Sequence, residues 1–280
     1  MLKFAPMGQL DYLLIGHITC DLLPDGEIVG GTVSYSGRVA KALGYKTAVL
    51  TSCHPSYHGL SALDGMEVEV VPSESTSTFE NVYTTNGRIQ TLHHVAQKIT
   101  AADVPAKWQD PAIVHLAPLT DEVDPAIIHQ FPNSIIGLTP QGWMRQWDEN
   151  GRITPKLWQD AHKYIPHADV VILSQEDLLT PSMVFDYWDW SGILVLTGGS
   201  KGAIVFHEDR AKRIPTIDVQ EVDTTGAGDI FATAYLIRYQ QTRDPIESAR
   251  FANIMAAYSV TQSGLDNIEK IIREKYKTYG

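Results

Sequence analysis

The stretch Val222-Asp223-Thr224-Thr225-Gly226-Ala227-Gly228-Asp229-Ile230-Phe231 joins a tight glycine turn to a carboxylate and then to an apolar helical run over residues 230–238. Two glycines around one small residue let backbone N–H groups approach an anion closely. The helix that follows turns its positive N-terminal end to the same place. Asp229 then stands where a phosphate and an acceptor hydroxyl could meet, so the run reads as a phosphate cradle with a general base attached. A plainer reading, an N-cap, a turn and an amphipathic helix, uses the same residue types. An acid on each side of the turn, Asp223 and Asp229, favours the cradle.

With 280 residues, 44% of them hydrophobic, the chain can bury a sizeable core and is expected to form one main domain with an appendage. The formal net charge of -11 argues against nucleic-acid binding, which depends on many Lys and Arg contacts to phosphates. No run approaches the roughly 18 apolar residues that span a bilayer, and residues 1–6 lack the apolar segment of a signal peptide. A soluble, cytoplasmic protein with no membrane association is therefore expected. Cys20 and Cys53 have no metal-ligand spacing and are expected as free thiols. His54, His58, His93 and His94 lack a third ligand at sensible spacing.

Short apolar runs at residues 12–16, 47–51, 113–116, 134–138, 170–173 and 193–197 read as buried strands, and residues 34–43, 124–129 and 155–164 as helices. This alternation predicts an α/β fold with an open, mostly parallel sheet covered on both faces. Residues 22–28, with Asp25-Gly26, and 78–94, with Asn86-Gly87, break the pattern and read as β-hairpins. They predict a small antiparallel sheet, from about residues 20–30 and 76–95, set beside a single domain spanning 1–280. An exposed decoration is the other reading of that sheet.

Residues 223–229 resemble the D-T-x-G-A-G-D signature of the ribokinase-like (PfkB) carbohydrate and nucleoside kinases, with a complete match. The resemblance implies a three-layer α/β/α fold whose small sheet is a lid over the acceptor site. It implies ATP as phosphate donor with Mg²⁺ and, in some relatives, K⁺ beside Asp223 and Thr225. By the same resemblance Asp229 is the base that deprotonates the acceptor hydroxyl, and Gly226, Ala227 and Gly228 form the anion hole. Homodimers through the lid edges are common in such a family.

Other segments extend the likeness and depart from it. Gly30-Gly31 followed by a helix closed at Leu43-Gly44 resembles the family's N-terminal signature, with Tyr35 where an acceptor-binding Asn is usual. Read without the family, the pair is a turn before a helix. Asp21 stands where the family places a hydroxyl-binding Asp, although a turn aspartate beside Pro24-Asp25-Gly26 would look the same. The family's G-x-D-x-x-G element is rewritten at residues 52–59. Ser174-Gln175-Glu176-Asp177 replaces N-x-x-E, which assigns Ser174 to the nucleotide and Glu176 and Asp177, with Asp223, to the metal; Ser174 also reads as a helix N-cap followed by acids in the first turn. Thr197, Gly199 and Gly202 resemble the nucleotide turn T-x-G-x-x-G, with Thr225 and Asn253 completing that site.

Gln141-Gly142-Trp143-Met144-Arg145-Gln146-Trp147 is rich in aromatic and basic residues and looks more like the inositol-kinase branch. There Arg145 would clamp a phosphate or polyol and Trp143 would form an apolar wall, whereas an amphipathic stretch with buried tryptophans is the structural reading. The resemblance therefore implies an ATP-dependent phosphotransferase acting on a hydroxyl of a small sugar or polyol. A nucleoside kinase and a non-catalytic ligand-binding relative are the alternatives.

Overall fold

The computed structural model describes residues 10–84 and 87–280. In chain order the main elements begin with β1 (Tyr12–Ile15), β2 (Thr19–Leu23), β3 (Gly26–Gly30), α1 (Thr32–Ala42), β4 (Thr47–Cys53), β5 (Glu67–Pro72), β6 (Ser77–Thr84), β7 (Gly87–His94), β8 (Ile113–Leu116) and β9 (Ile135–Leu138). There follow β10 (Arg145–Trp147), β11 (Ile153–Pro155), α2 (Ala161–Tyr164), β12 (Val170–Ser174), α3 (Met183–Trp190), β13 (Ile193–Thr197), β14 (Ala203–His207), β15 (Arg210–Ile214), α4 (Ala227–Thr242), α5 (Pro245–Ser259) and α6 (Leu265–Tyr279).

Nine strands form the central sheet in the order β15-β14-β13-β12-β9-β8-β1-β4-β5. Strands from β13 to β5 run parallel, and β14 and β15 close one edge as an antiparallel meander. The period of two along each strand divides the core. Tyr12, Leu14, Val49, Ile172 and Val195 enter the cluster under α1, α4, α5 and α6. Leu13, Ile15, Leu50, Leu173 and Leu194 enter the opposite cluster, with Trp108, Trp143 and Tyr187. Both faces of the parallel strands are thus buried, which explains their nearly unbroken apolar runs.

A second sheet has the order β3-β2-β6-β7. Each hairpin is antiparallel, while β2 and β6 meet in parallel, because both leave the same end of the main sheet after its parallel strands β1 and β5. Asn86, half of the expected Asn-Gly turn, lies outside the described residues. Among the described residues no helix is long and apolar enough to cross a membrane. Cys20 and Cys53 are free thiols, both buried.

Two helical expectations are corrected. Residues 155–164 are helical only at Ala161–Tyr164, since Pro155 ends β11 opposite Arg145 and Trp158 stacks on buried Trp143 with ring centroids 4.4 Å apart. That stacking fixes the intervening segment against its helical pattern. Residues 125–130 form a 3₁₀ turn rather than an α-helix, capped by Asp124, whose side chain accepts from the Ala126 N–H.

The connection from β1 to β2 is held by one buried acid. Glu122, 2% exposed, accepts hydrogen bonds from the backbone N–H groups of His17, Leu119 and Thr120 and from the Thr120 hydroxyl. Glu122→Ala would leave three N–H donors, two of them buried and the third half-buried, without their acceptor, a loss of about 3–5 kcal/mol. Chemical denaturation of the variant should show that loss, and an unchanged midpoint would contradict it.

Candidate active site

A cavity of about 720 Å³ opens at the carboxyl ends of the parallel strands. The chain feeds it from each strand end in turn: Thr19 and Asp21 beyond β1, Leu119 beyond β8, Gln141 and Arg145 beyond β9, Ser174 at the end of β12 and Thr197 at the end of β13. Ligands of open α/β sheets characteristically bind there.

The glycine run is the start of α4 itself. Gly226 is its N-cap, with φ 75° and ψ 0°, and Ala227, Gly228 and Asp229 form the first turn. The Ala227 N–H donates to the Thr224 oxygen at 3.2 Å, so the free N–H groups that face the cavity, with the positive end of a 16-residue helix, are those of Gly228 and Asp229. A side chain at Gly226 would adopt a left-handed backbone and strike the Tyr35 ring, whereas a Cβ at Gly228 would meet nothing within 4 Å. Tyr35, 6% exposed, thus acts as the shelf on which the turn rests while its edge lines the cavity.

Asp229 is enclosed by protein yet open to the cavity, and burial pushes its carboxyl up to about 6. A hydrogen bond from Thr32 and the charge of Arg145 pull the other way, and the charges of Asp21 and Asp177 add to the rise. The Ser36 hydroxyl donates to the Asp229 backbone oxygen at 3.3 Å, fixing the first turn of α4 to α1. Asp21 receives the Thr19 hydroxyl at 3.0 Å. A Cβ at Gly30 would stand 2.5 Å from an Asp21 carboxylate oxygen, so a side chain there would displace that carboxylate. Gly31, with φ 88°, caps α1 and lines the cavity.

The three expected metal ligands separate. Glu176 lines the cavity with Ser174. Asp177 closes a capping box: its Oδ2 accepts from the Ser174 N–H at 2.9 Å and its Oδ1 from the Gln141 side chain at 2.9 Å. Asp223 accepts from the Thr225 N–H at 2.9 Å and from the Ser263 hydroxyl at 3.2 Å, which organises the turn ahead of Gly226. Neither of these two carboxylates is among the cavity-lining groups. Among the described residues no three His, Cys, Asp or Glu side chains stand together to hold a metal ion. The site suits an ion with few protein ligands, such as Mg²⁺ carried on phosphate and water.

Thr197, Gly199, Ser200, Gly202 and Thr225 also line the cavity. Asn253 also borders it, but its amide donates to the backbone oxygens of Ile214 and Pro215 at 3.0 and 3.3 Å, so it fixes the exit from β15. That exit carries Ile217 and Val219, which face Ala256, Ala257 and Val260 of the α5 region as an apolar slot. The slot escaped the sequence reading because small residues at helical spacing look like ordinary core. Thr32 and the lining residues Asn81 and Gln90 were missed too. Trp143 is not an apolar wall of this cavity: it is 1% exposed, and its indole N–H donates to Val123 O at 2.8 Å inside the core.

Comparison with known proteins agrees with this geometry. The model of the pfkB family of carbohydrate kinases matches residues 144–271. A cytidine kinase from Thermococcus kodakarensis is 24% identical over 85% of this chain and 91% of its own length. Fructokinase-1 from Zea mays is 31% identical over 39% of the chain, a match that spans about a third of that enzyme, 36%. A pyrophosphate-dependent kinase of the ribokinase family, solved with a pyrophosphate analogue and myo-inositol, superposes with a TM-score of 0.77 at 21% identity, covering 92% of this chain and 99% of the other. Over residues 144–271 the chain is thus similar to the pfkB family of carbohydrate kinases, and its fold is that of the ribokinase-like kinases.

Proposed function

We propose that this protein transfers the γ-phosphoryl group of ATP to a hydroxyl of a small sugar, polyol or nucleoside, with Asp229 as general base. The observation that carries the reading is Asp229 in the first turn of α4, where a raised carboxyl shares one cavity with the helix's free N–H groups. A carboxyl poised near 6 is ionised at neutral pH yet basic enough to take a proton as the hydroxyl oxygen attacks phosphorus. The amides of Gly228 and Asp229 would face the charge that develops on the phosphoryl oxygens.

The acceptor would lie between Asp229 and the small sheet, with Asp21 accepting from its hydroxyls, Gly30 and Gly31 leaving it room and Arg145 beside it. The small sheet, at residues 19–30 and 77–94, would act as a lid that keeps water from competing as nucleophile. The donor would lie along Thr197, Gly199, Gly202, Ser174 and Thr225, its base in the slot of Ile217, Val219, Ala256, Ala257 and Val260. Such a slot supports a nucleotide donor over pyrophosphate, which has no apolar part to bury. Mg²⁺ would be held by donor phosphates and water with Glu176 and would neutralise phosphate charge.

Because the base must be ionised, kcat/KM should fall about tenfold per pH unit below about pH 6 and level off above it. ATP-dependent turnover measured from pH 4.5 to 8 checks this. A flat profile would remove Asp229 as the base.

A further inference from the structure

The register of the small sheet arranges its inner face in two tiers. Asp21 pairs with Ile28 on one side and Phe79 on the other. Two residues further along each strand, about 7 Å away, stand Leu23 on β2, Asn81 on β6 and Gln90, the cross-strand partner of Asn81. All six line the cavity. The inner tier faces Asp229, whose carboxyl feels the charge of Asp21. The outer tier lies further from the main sheet, since β2 and β6 both lead away from it.

In the outer tier the Gln90 amide donates to Asn81 Oδ1 at 3.0 Å. That bond orients both carboxamides and leaves the Asn81 N–H₂ as donor and the Gln90 Oε1 as acceptor, side by side. A donor and an acceptor held in this way match a planar amide or amidine edge better than the scattered hydroxyls of a sugar. Leu23 in this tier and Ile28 in the inner one, both substantially exposed and both lining the cavity, offer apolar surface to the faces of a flat ring. A single sugar ring held at Asp21 and Asp229 would leave this outer tier idle. A nucleoside would give its ribose diol to Asp21, its 5′-hydroxyl to Asp229 and its base to the outer tier.

We propose that Asn81 and Gln90 are the specificity-determining pair of the acceptor site and that they read the donor–acceptor edge of a nucleoside base. The inference rests on the kinase reading for its chemistry, but binding can be read apart from transfer. Cytidine, uridine or adenosine should be phosphorylated with kcat/KM above that for ribose, fructose and myo-inositol. Asn81→Leu and Gln90→Leu should each lower the nucleoside value about tenfold, the usual effect of losing one hydrogen bond.

In thermal-shift measurements that nucleoside should stabilise the wild type and not the Asn81→Leu/Gln90→Leu double variant. The shift given by ATP, retained in the double variant, would show that it is folded. Preference for a monosaccharide or inositol would overturn the proposal, as would absence of any nucleoside shift or leucine variants with unchanged nucleoside kinetics. A nucleoside shift lost in the double variant, with no transfer to any acceptor, would sink the kinase reading and leave the pair's assignment standing.

Discussion

Asp229→Asn should lower kcat by at least about 10²-fold, the low end for loss of a general base, while ATP binding persists. The amide keeps the shape of the carboxyl and its place in the first turn of α4 but cannot accept the hydroxyl proton. The same substitution should make the protein more stable. Burial raises the Asp229 carboxyl from its ordinary value of 3.8 to about 6, so the folded state holds a proton that the unfolded chain releases between those values. Stability attributable to this group is therefore greatest below about pH 4 and is lost as pH rises to about 6. At neutral pH the charged carboxylate opposes folding by up to about 3 kcal/mol, lessened by whatever water in the cavity screens. The melting temperature of Asp229→Asn should exceed that of the wild type at pH 7 and approach it at pH 4. A variant equally stable at both pH values, or one with wild-type turnover, would contradict the assignment.

Gly226→Ala should be nearly as damaging to turnover and should destabilise the fold. At φ 75° an alanine pays about 1–2 kcal/mol for a left-handed backbone, and its Cβ meets the ring of buried Tyr35, adding about 1–3 kcal/mol of overpacking. Relief requires the turn to rotate, which turns the Gly228 and Asp229 amides away from the cavity. Loss of such a donor typically lowers kcat about 10²- to 10³-fold. The double variant Gly226→Ala/Tyr35→Ala should then be more stable than the sum of the single losses, because the clash is gone, while kcat stays low if the backbone strain persists. Additive destabilisation in urea would show that the two residues do not press on each other.

The core of the fold was legible because buried parallel strands read as unbroken apolar runs and the glycine turn carries its chemistry within seven residues. Legibility failed wherever a residue's role is decided by distant partners. Asp177 and Glu176 are adjacent acids, and only the reach of Asp177 to the Ser174 N–H and the Gln141 amide decides that Glu176 alone faces the cavity. Asn253 follows an Ala in an ordinary helix, and its role at Ile214 and Pro215 depends on where β15 ends. The helical pattern at residues 155–164 lost to the packing of Trp158 on Trp143, a contact between loops that no local pattern records. Asn81 and Gln90 gain meaning only from the β6–β7 register, which places both on the cavity face.

The most direct test of the kinase reading follows phosphorus through the reaction. Purified protein with Mg²⁺, ATP and a mixture of nucleosides, pentoses, hexoses and inositols would be monitored by ³¹P NMR, with Asp229→Asn alongside. A phosphomonoester signal growing in step with ADP, and suppressed in Asp229→Asn, is the expected result. Conversion of ATP to ADP and inorganic phosphate at a rate indifferent to acceptor, or ester formation that survives the substitution, would contradict a phosphotransferase with Asp229 as its base.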